Sequence, residues 1–310
     1  IMEFGLMVEP QVGGSYAELR DLARWTEAQG LDAFARSDHF LNQGDSAPST
    51  DALTTYGGLA EATDSIELVV LVTPLTFRHP AVIAKTAATL DEMSDGRFAL
   101  GVGTGWMPSE HAMLGMDLPP LAERFDRLGE TLAYLNAAFN SSGGFDGRYY
   151  RLDPIEVLPR PTNLSIVVGG GGPKKTPTYA GRFADEYNLF VTDRATLDDR
   201  IRVMRSAATA AGRDPDTIKV SLMGPAVVAA DDATYRAMLE RRGAHRDQTA
   251  DEYEAFLKDL NVPHGTPDQA RTTIETLQAI GIQRYYVQSF RALGSIDTSA
   301  LAVAFSILRS

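Results

Sequence analysis

Short apolar segments rich in β-branched residues alternate along this chain with longer amphipathic segments, and this alternation restricts the possible folds more than any other feature. Strictly alternating strands and helices predict a parallel sheet. Eight segments have strand character, which is the number that closes a parallel barrel. The predicted strands are Phe4–Val8, Ala33–Arg36, Glu67–Val72, Arg97–Val102, Ser165–Val168, Glu186–Val191, Lys219–Met223 and Arg284–Gln288.

The segments between these strands have helical periodicity. They predict helices at Tyr16–Gln29, Ala52–Thr63, Ala81–Met93, Leu121–Phe139, Leu197–Ala211 and Pro267–Ile280. We therefore expect an α/β fold, a (β/α)8 TIM barrel, with an open doubly wound sheet as the alternative. Two connections, 106–153 and 229–266, are too long for simple loops. We expect them to be insertions over the C-terminal mouth of a single domain that spans residues 2–310.

The charge and composition of the chain narrow the kinds of partner. Asp and Glu outnumber Lys and Arg by 41 to 29, giving a net charge of −12, which disfavours nucleic acid and anionic membranes. A small-molecule ligand is the expected partner. The chain has no cysteine, which excludes thiolate chemistry, and it shows neither an apolar run of membrane length nor a leader segment. A cytoplasmic location is expected.

The segment after the second predicted strand contains an acid and an imidazole. In a parallel barrel the C-terminal ends of all strands surround one mouth, where catalytic residues lie. Asp38 and His39 follow Arg36 after one intervening residue, Ser37, and histidine is suited to proton transfer near neutral pH. We predict a catalytic role for both. The alternative is that Asp38 caps a turn and His39 is merely exposed.

The third and fourth strands end in further candidates. Thr73 is a candidate ligand of a polar group, whereas Arg78 either binds the ligand or braces the core. After the fourth strand, the alternating glycines up to Gly105 would let a flat ring or a phosphate approach the backbone. Glu110 and His111 follow as acid/base or substrate contacts. The alternative for Glu110 is that it stabilises a helix start through the helix dipole.

Four consecutive glycines, 169–172, follow the fifth strand and lead into a predicted helix that carries Lys174 and Lys175. Such a loop exposes successive N–H groups at the positive end of a helix, which is an arrangement that binds phosphate. A structural tight turn is the alternative. The spacing is not that of a P-loop, which disfavours ATP hydrolysis.

Two other classes of chemistry lack support in the sequence. The five histidines have no spacing typical of a metal site, so no metal is expected. A nucleophile elbow of the form G-x-S-x-G is also missing, which disfavours Ser-His-Asp hydrolysis. Redox chemistry with a phosphorylated cofactor is the class that remains.

Several blocks together resemble the luciferase-like flavin and deazaflavin oxidoreductases, in particular an actinobacterial subgroup that depends on coenzyme F420. The resemblance extends over nearly the whole chain. It is carried by Ser37-Asp38-His39-Phe40, by residues 73–81, by residues 90–98 running into Gly101-Val102-Gly103-Thr104-Gly105-Trp106, by residues 119–128, by residues 167–177, by Ala184-Asp185-Glu186-Tyr187-Asn188 and by Ala211-Gly212-Arg213-Asp214-Pro215.

This resemblance implies F420 as the cofactor, with FMN as the alternative, and it implies roles for single residues. His39 would donate or stabilise a proton beside the deazaflavin ring, with Asp38 next to it and Glu110 as a further catalytic candidate. The implied ring contacts are Asp38, Thr73, Thr104, Gly105 and Ser109; the implied phosphate contacts are Gly170, Gly171, Gly172, Lys174 and Lys175; the implied substrate pocket is Phe40, Trp106 and His111.

One departure from the family pattern bears on the substrate. In the related sugar-phosphate dehydrogenases a glutamate follows the Gly-Thr-Gly run, whereas this chain has Trp106. The departure favours a flatter or more apolar substrate in an aromatic-walled pocket. The expected activity is hydride transfer that reduces a C=C, C=N or C=O bond.

The resemblance also leaves alternatives and implies partners. An FMN-dependent monooxygenase on the same fold is the first alternative. A cofactor-free sugar-phosphate isomerase or lyase and a non-catalytic cofactor carrier are more distant ones. A homodimer and an F420- or flavin-reducing enzyme are the implied protein partners.

Overall fold

The computed structural model describes residues 2–43, 45–140 and 143–310. Eight parallel strands close into a barrel in the order β1-β2-β3-β4-β7-β8-β9-β12, with β12 returning to β1. The barrel strands are β1 (Glu3–Val8), β2 (Ala33–Arg36), β3 (Glu67–Pro74), β4 (Phe98–Gly103), β7 (Ser165–Gly169), β8 (Glu186–Phe190), β9 (Lys219–Gly224) and β12 (Arg284–Ser289). Two short pairs lie outside it, β5 (Phe145–Asp146) with β6 (Arg151–Leu152), and β10 (Val227–Val228) with β11 (His264–Gly265).

Helices follow the barrel strands along the chain. They are α1 (Tyr16–Ala28), α2 (Ala52–Ala62), α3 (Pro80–Met93), α4 (Pro108–Met113), α5 (Leu121–Asn140), α6 (Lys175–Phe183), α7 (Arg194–Ala210), α8 (Asp232–Ala244), α9 (Ala250–Asp259), α10 (Pro267–Ala279) and α11 (Thr298–Leu308). None of the helices in the described ranges is long and apolar enough to cross a membrane.

The predicted barrel is confirmed, and the open sheet is wrong. Each predicted strand is present within two residues of its predicted ends. Closure is visible at Gly5, which pairs with Ala33 of β2 on one side and with Tyr286 of β12 on the other. An open sheet would leave two of its strands with an unpaired edge, whereas each of the eight barrel strands pairs with a neighbour on both sides.

The helix predictions differ from the structure at several places, two of which have a clear physical reason. Helix α7 starts at Arg194 rather than Leu197, because the Asp193 carboxylate accepts a hydrogen bond from the N–H of Thr196 and caps the helix. Helix α11 was not predicted. Its sequence is apolar over most of its length, so it lacks the polar face that marks a surface helix.

The two long connections lie differently from what the sequence predicts. In the first, residues 106–111 border the barrel mouth, but α5 packs on the outside of the barrel between α3 and α6, and the β5–β6 hairpin packs on α5. Residues 141 and 142 of this connection lie outside the described residues. In the second, α8 and α9 pack on each other around Tyr235, Leu239 and Leu257. None of residues 229–266 lines the mouth cavity.

The opposite end of the barrel is closed by a buried ion cluster. Arg284, the first residue of β12, is almost fully buried and pairs with the carboxylates of Glu3, Glu67 and Glu186, which are the first residues of β1, β3 and β8. Its Nη1 also donates to the hydroxyl of Tyr286 at 2.8 Å. Function is therefore expected at the other, C-terminal end.

Candidate active site

A cavity of about 600 Å³ opens at the C-terminal end of the barrel. Residues in or directly after all eight barrel strands line it, as expected for a barrel active site. Its volume lies within the ~300–1,000 Å³ typical of small-molecule sites. A second cavity, of about 610 Å³, lies at the opposite end, where it is lined by the start of β7 and by Asp185 before β8. It contains none of the predicted site residues.

His39 and Glu110 form a dyad in the wall of this cavity. The loop after β2 carries His39, and the short helix α4 carries Glu110, whose Oε2 lies 2.9 Å from Nδ1 of His39. A carboxylate can only accept, so Nδ1 carries the hydrogen and donates. Nε2 then has no protein partner in the described part of the chain, and His39 lines the cavity. The imidazole is thus oriented on one side and open on the other.

The Glu110 carboxylate is held by the backbone as well. Its Oε1 accepts hydrogen bonds from the N–H groups of Phe40 at 2.5 Å and Leu41 at 3.0 Å. Burial raises the pKa of Glu110, but the hydrogen bonds from His39, Leu41 and Phe40 outweigh burial, and the net pKa is lowered from 4.5. Glu110 is therefore ionised at neutral pH and fixes the position of His39.

This lowered pKa predicts how Glu110 contributes to stability. Its contribution is present above pH 4.5 and is lost as the pH falls through the lower pKa of the folded state. We expect Glu110→Gln to destabilise the protein by about 2 kcal/mol at neutral pH, because buried donors lose a charged acceptor. Urea unfolding at several pH values measures this. The gap between wild type and variant should shrink below pH 4.5, and a gap independent of pH would contradict the assignment.

Trp106 and His111 also lie in the cavity wall. Trp106 is largely exposed, and its ring meets that of His39 edge to face with centroids 5.8 Å apart. His111 is buried, and both of its ring nitrogens have partners, the carbonyl of Met107 at 2.8 Å and the hydroxyl of Thr76 at 2.8 Å. His111 is therefore not free to move a proton, in contrast to His39.

Asp38 and Thr73, two predicted contacts of the cofactor ring, do not line the cavity. Both are buried beside it, where the Arg78 guanidinium pairs with the Asp38 carboxylate and donates to Thr73 Oγ1 at 2.9 Å. Arg78 also pairs with Asp51. The structure therefore supports the interpretation that Arg78 braces the core rather than binds the ligand. An Asp this deeply buried needs a cation, and Arg78 supplies it.

Phe40 and Ser109 also do not line the cavity. Phe40 stacks on Phe77 with ring centroids 4.6 Å apart and an angle of 15° between the planes. Ser109 lies in the first turn of α4, one residue before Glu110. The structure thus places Glu110, but not its neighbour, at the site.

The glycines of β4 and β7 have a packing role that the sequence did not indicate. A Cβ on Gly103 would lie 2.7 Å from Cγ2 of Val72, and a Cβ on Gly169 would lie 2.8 Å from Cγ1 of the same side chain. Both distances are below van der Waals contact. The glycines therefore make room for Val72, which lines the cavity together with Thr104 and Gly105.

The glycine loop after β7 is open to a ligand. Gly170 lines the cavity and has a φ of +134°, and a Cβ on Gly171 would have no neighbour within 4 Å. The first N–H groups of α6 have no partner within the helix, and the N-cap residue, Lys174, supplies no side-chain cap. Among the residues described, none pairs with the Lys174 ammonium, whereas Lys175 pairs with Asp126 at 2.7 Å. Lys174 is thus the available cation.

A chain of hydrogen-bonded polar side chains lines the cavity wall opposite the glycine loop, and the sequence did not lead us to predict it. The Glu9 carboxylate accepts from Nε2 of Gln288 at 2.6 Å and from Nε2 of Gln11 at 2.7 Å, and Ser37 donates to Oε1 of Gln11 at 2.7 Å. All four residues line the cavity. Glu9 and Gln288 lie at the ends of β1 and β12. The sequence could have identified these residues, because the C-terminal ends of β1 and β12 surround the barrel mouth in the same way as the strand ends that carry the predicted site residues.

Phe190 and Phe290 were missed for the same reason. Phe190 is the last residue of β8, and Phe290 follows β12 directly. Both line the cavity, together with Trp106. Its described lining residues include no lysine or arginine. Nor do the described parts of the chain contain a group of three or more His, Cys, Asp or Glu side chains that could hold a metal ion.

Comparison with known proteins gives many partial relatives, among them a glucose-6-phosphate dehydrogenase and a pyrimidine monooxygenase. The F420-dependent glucose-6-phosphate dehydrogenase of Amycolatopsis mediterranei is 37% identical over 177 residues, which are 54% of this chain and 52% of that protein. The pyrimidine monooxygenase RutA of Allorhizobium ampelinum is 30% identical over 171 residues, 53% of this chain and 46% of that protein. The chain thus spans about half the length of these curated relatives.

A solved structure and a family model match over a longer range. An F420-dependent secondary alcohol dehydrogenase, in complex with an F420-acetone adduct, superposes with a TM-score of 0.79 and 22% identity, covering 100% of this chain and 99% of that one. At that identity the likeness concerns the fold. The model of the luciferase-like monooxygenase family matches residues 2–284. With a closed barrel and a match over that much of the chain, this protein belongs to the luciferase-like monooxygenase family.

Proposed function

We propose that this protein is a coenzyme F420-dependent oxidoreductase that transfers a hydride between the deazaflavin and a small organic substrate, reducing a C=C, C=N or C=O bond. The observation that carries the proposal is the dyad of His39 and Glu110 in a cavity that continues into an open glycine loop. The partial relative from Amycolatopsis mediterranei is an F420-dependent enzyme by its name, which supports this choice of cofactor.

The residues present fit such a cofactor at both of its ends. Val72, Thr104 and Gly105 give the wall an apolar platform with exposed backbone, against which a flat ring can lie. The open loop at Gly170 to Gly172 and the free ammonium of Lys174 suit an anionic tail, because the uncapped start of α6 carries partial positive charge. A bound deazaflavin would supply hydride chemistry at carbon and would react poorly with oxygen.

His39 is the residue that would move the proton. Reduction of a carbonyl adds a hydride to carbon and a proton to oxygen, so the protein must supply that proton. His39 lines the cavity, and with Nδ1 held by Glu110 its Nε2 is the ring nitrogen left without a partner among the described residues, which leaves a single nitrogen for the substrate. As the imidazolium, His39 gives up the proton on Nε2, keeps the one on Nδ1 and recovers a proton from solvent, while Glu110 stays ionised and keeps the ring in place.

The second candidate is an FMN-dependent monooxygenase on the same fold. It is favoured by the partial relative named pyrimidine monooxygenase RutA. The glycine loop and Lys174 would suit the phosphate of FMN as well, so the two candidates differ in which ring the platform accepts. A homodimer, a cytoplasmic location and an F420- or flavin-reducing partner belong to the same proposal.

The cofactor proposal is tested by equilibrium titration with F420 and with FMN. We expect F420 to bind and to do so more tightly than FMN. Lys174→Ala should weaken F420 binding about tenfold, because one charge-assisted contact is lost, and should leave the affinity for a deazaflavin lacking the phosphate unchanged. Lys175→Ala is the matched control, since Lys175 is already paired with Asp126. Binding of FMN alone would select the monooxygenase, and binding of neither would refute both.

A further inference from the structure

We infer that the cavity selects an uncharged carbonyl compound that carries an aromatic ring or a comparably flat apolar group, and that Trp106, Phe190 and Phe290 determine this selectivity. The inference rests on the proposed function and adds the substrate class. It assigns a binding role to two phenylalanines that otherwise have no part in the fold or the proton transfer.

Three large aromatic side chains stand exposed around one cavity. Trp106 is 59% exposed, Phe190 54% and Phe290 64%, and all three line the cavity. They come from the ends of three different strands, β4, β8 and β12, so the barrel brings together residues that are far apart in the sequence. Scattered exposed apolar residues are ordinary, but three around one cavity mark an apolar binding surface.

The charges in the cavity exclude an anionic substrate. The described lining residues include two carboxylates, Glu9 and Glu110, and no lysine or arginine. The Glu9 carboxylate is buried and accepts hydrogen bonds from the neutral amides of Gln11 and Gln288, and the cation that attracts it, the buried Arg36, lies outside the cavity lining. A phosphate placed here would face two negative charges in a partly desolvated site, which costs free energy. Among the described residues, Lys174 at the glycine loop and Arg124, which donates to the carbonyl of Gly105, are nearby cations without a carboxylate partner, and neither belongs to the lining. In the proposed arrangement Lys174 holds the cofactor tail.

The distribution of polar groups orients the substrate. His39 presents Nε2 to the cavity, whereas the aromatic residues form its rim. A substrate with a carbonyl at one end and a flat ring at the other matches both groups, because its oxygen can lie at His39 while its ring packs against Trp106. Trp106 stands edge to face against His39, so the ring site adjoins the proton donor.

The resulting reaction balances with the proposed cofactor as the reductant. The carbonyl carbon gains a hydride, its oxygen gains a proton from His39 Nε2, and the C=O double bond becomes a C–O single bond. The carbonyl is reduced by two electrons to the alcohol, and the reduced deazaflavin is oxidised by two. No further reactant is required.

Calorimetric binding to the cofactor-free protein is the first test, because it does not depend on F420. Acetophenone should bind at least tenfold more tightly than benzoate, which has the same ring but a negative charge and carries no phosphate for the glycine loop. Tighter binding of benzoate would overturn the inference even if F420 binds as proposed. Conversely, a protein that prefers acetophenone but ignores F420 would refute the cofactor and keep the substrate class.

The second test measures steady-state reduction by the F420-loaded protein. Phe190→Ala and Phe290→Ala should each raise KM for acetophenone about tenfold while changing KM for acetone less than threefold, since acetone has no ring to contact the rim. Val303→Ala, an exposed apolar residue on α11, is the matched control and should change neither. Equal changes for both ketones, or a change in oligomeric state without a change in KM, would overturn the role of the phenylalanines.

Discussion

Replacing His39 with alanine is expected to lower the turnover number by about 10²–10⁴, the range that a positioned general acid contributes. The affinity for F420 should change less than threefold, since the ring platform and the glycine loop are untouched. Stopped-flow absorbance of the deazaflavin at a saturating ketone concentration measures the hydride-transfer step directly. The loss should appear in kcat rather than in KM.

The chain offers a matched control for this experiment. His245 follows α8, away from the cavity lining, and His245→Ala should leave turnover at the wild-type value. If His39→Ala binds F420 normally and transfers hydride at the wild-type rate, His39 is not the proton donor. The dyad with Glu110 would then have only a structural role.

Replacing Arg284 with methionine is expected to produce the largest loss of stability, about 3–5 kcal/mol, because removal of one partner leaves buried charge without a counterion. Glu186 is affected most. It is buried with Arg284 Nη1 at 2.8 Å from its Oε2, and burial raises its pKa while Arg284 opposes that rise. Methionine fills a volume similar to that of arginine, so the lost charge, rather than a cavity, causes most of the expected loss of stability. Guanidinium unfolding at neutral pH measures the effect.

Two comparisons make this result specific. Arg236→Ala removes an exposed arginine that pairs with Asp251 and Glu240, and it should not change the unfolding midpoint measurably. The destabilisation caused by Arg284→Met should grow as the pH rises. Without Arg284 the ionised Glu186 carboxylate has no buried counterion, so its raised pKa rises further, and the native state of the variant keeps the proton at pH values where the unfolded state has lost it. A loss under 1 kcal/mol would contradict the view that this cluster needs its cation.

The sequence predicts the barrel well because the fold follows from a property that repeats. Each strand is buried on both faces and therefore reads as a short apolar run, for example Leu68 to Leu71 in β3, bounded by polar or turn-forming residues. The same logic fails for α11, which is apolar over most of its length, and for the second connection, whose residues pack on each other rather than on the mouth.

The site is less predictable, because a strand end shows which residues are near the mouth but not which way they point. Asp38 and His39 are adjacent, and the structure directs the first into the Arg78 cluster and the second into the cavity. The partner of His39 comes from a helix 71 positions later in the chain. Such pairing depends on three-dimensional packing, which a linear motif does not encode.

The role of the glycines is a similar case. Gly103 and Gly169 read as a surface for ligand approach, yet the structure uses them to accommodate the Val72 side chain. The sequence cannot separate these readings, because a missing Cβ serves a ligand and a neighbouring side chain equally. The position of the Val72 side chain, on β3 and next to both glycines, distinguishes them.

A crystal structure of the complex with F420 would locate both ends of the cofactor. We expect a deazaflavin ring over Val72 and Gly105 with its reactive carbon facing the space beside His39 Nε2, and an anionic tail on the N–H groups of Gly171 and Gly172 within reach of Lys174. A cofactor bound outside the C-terminal cavity, or a tail directed away from the glycine loop, would contradict this expectation.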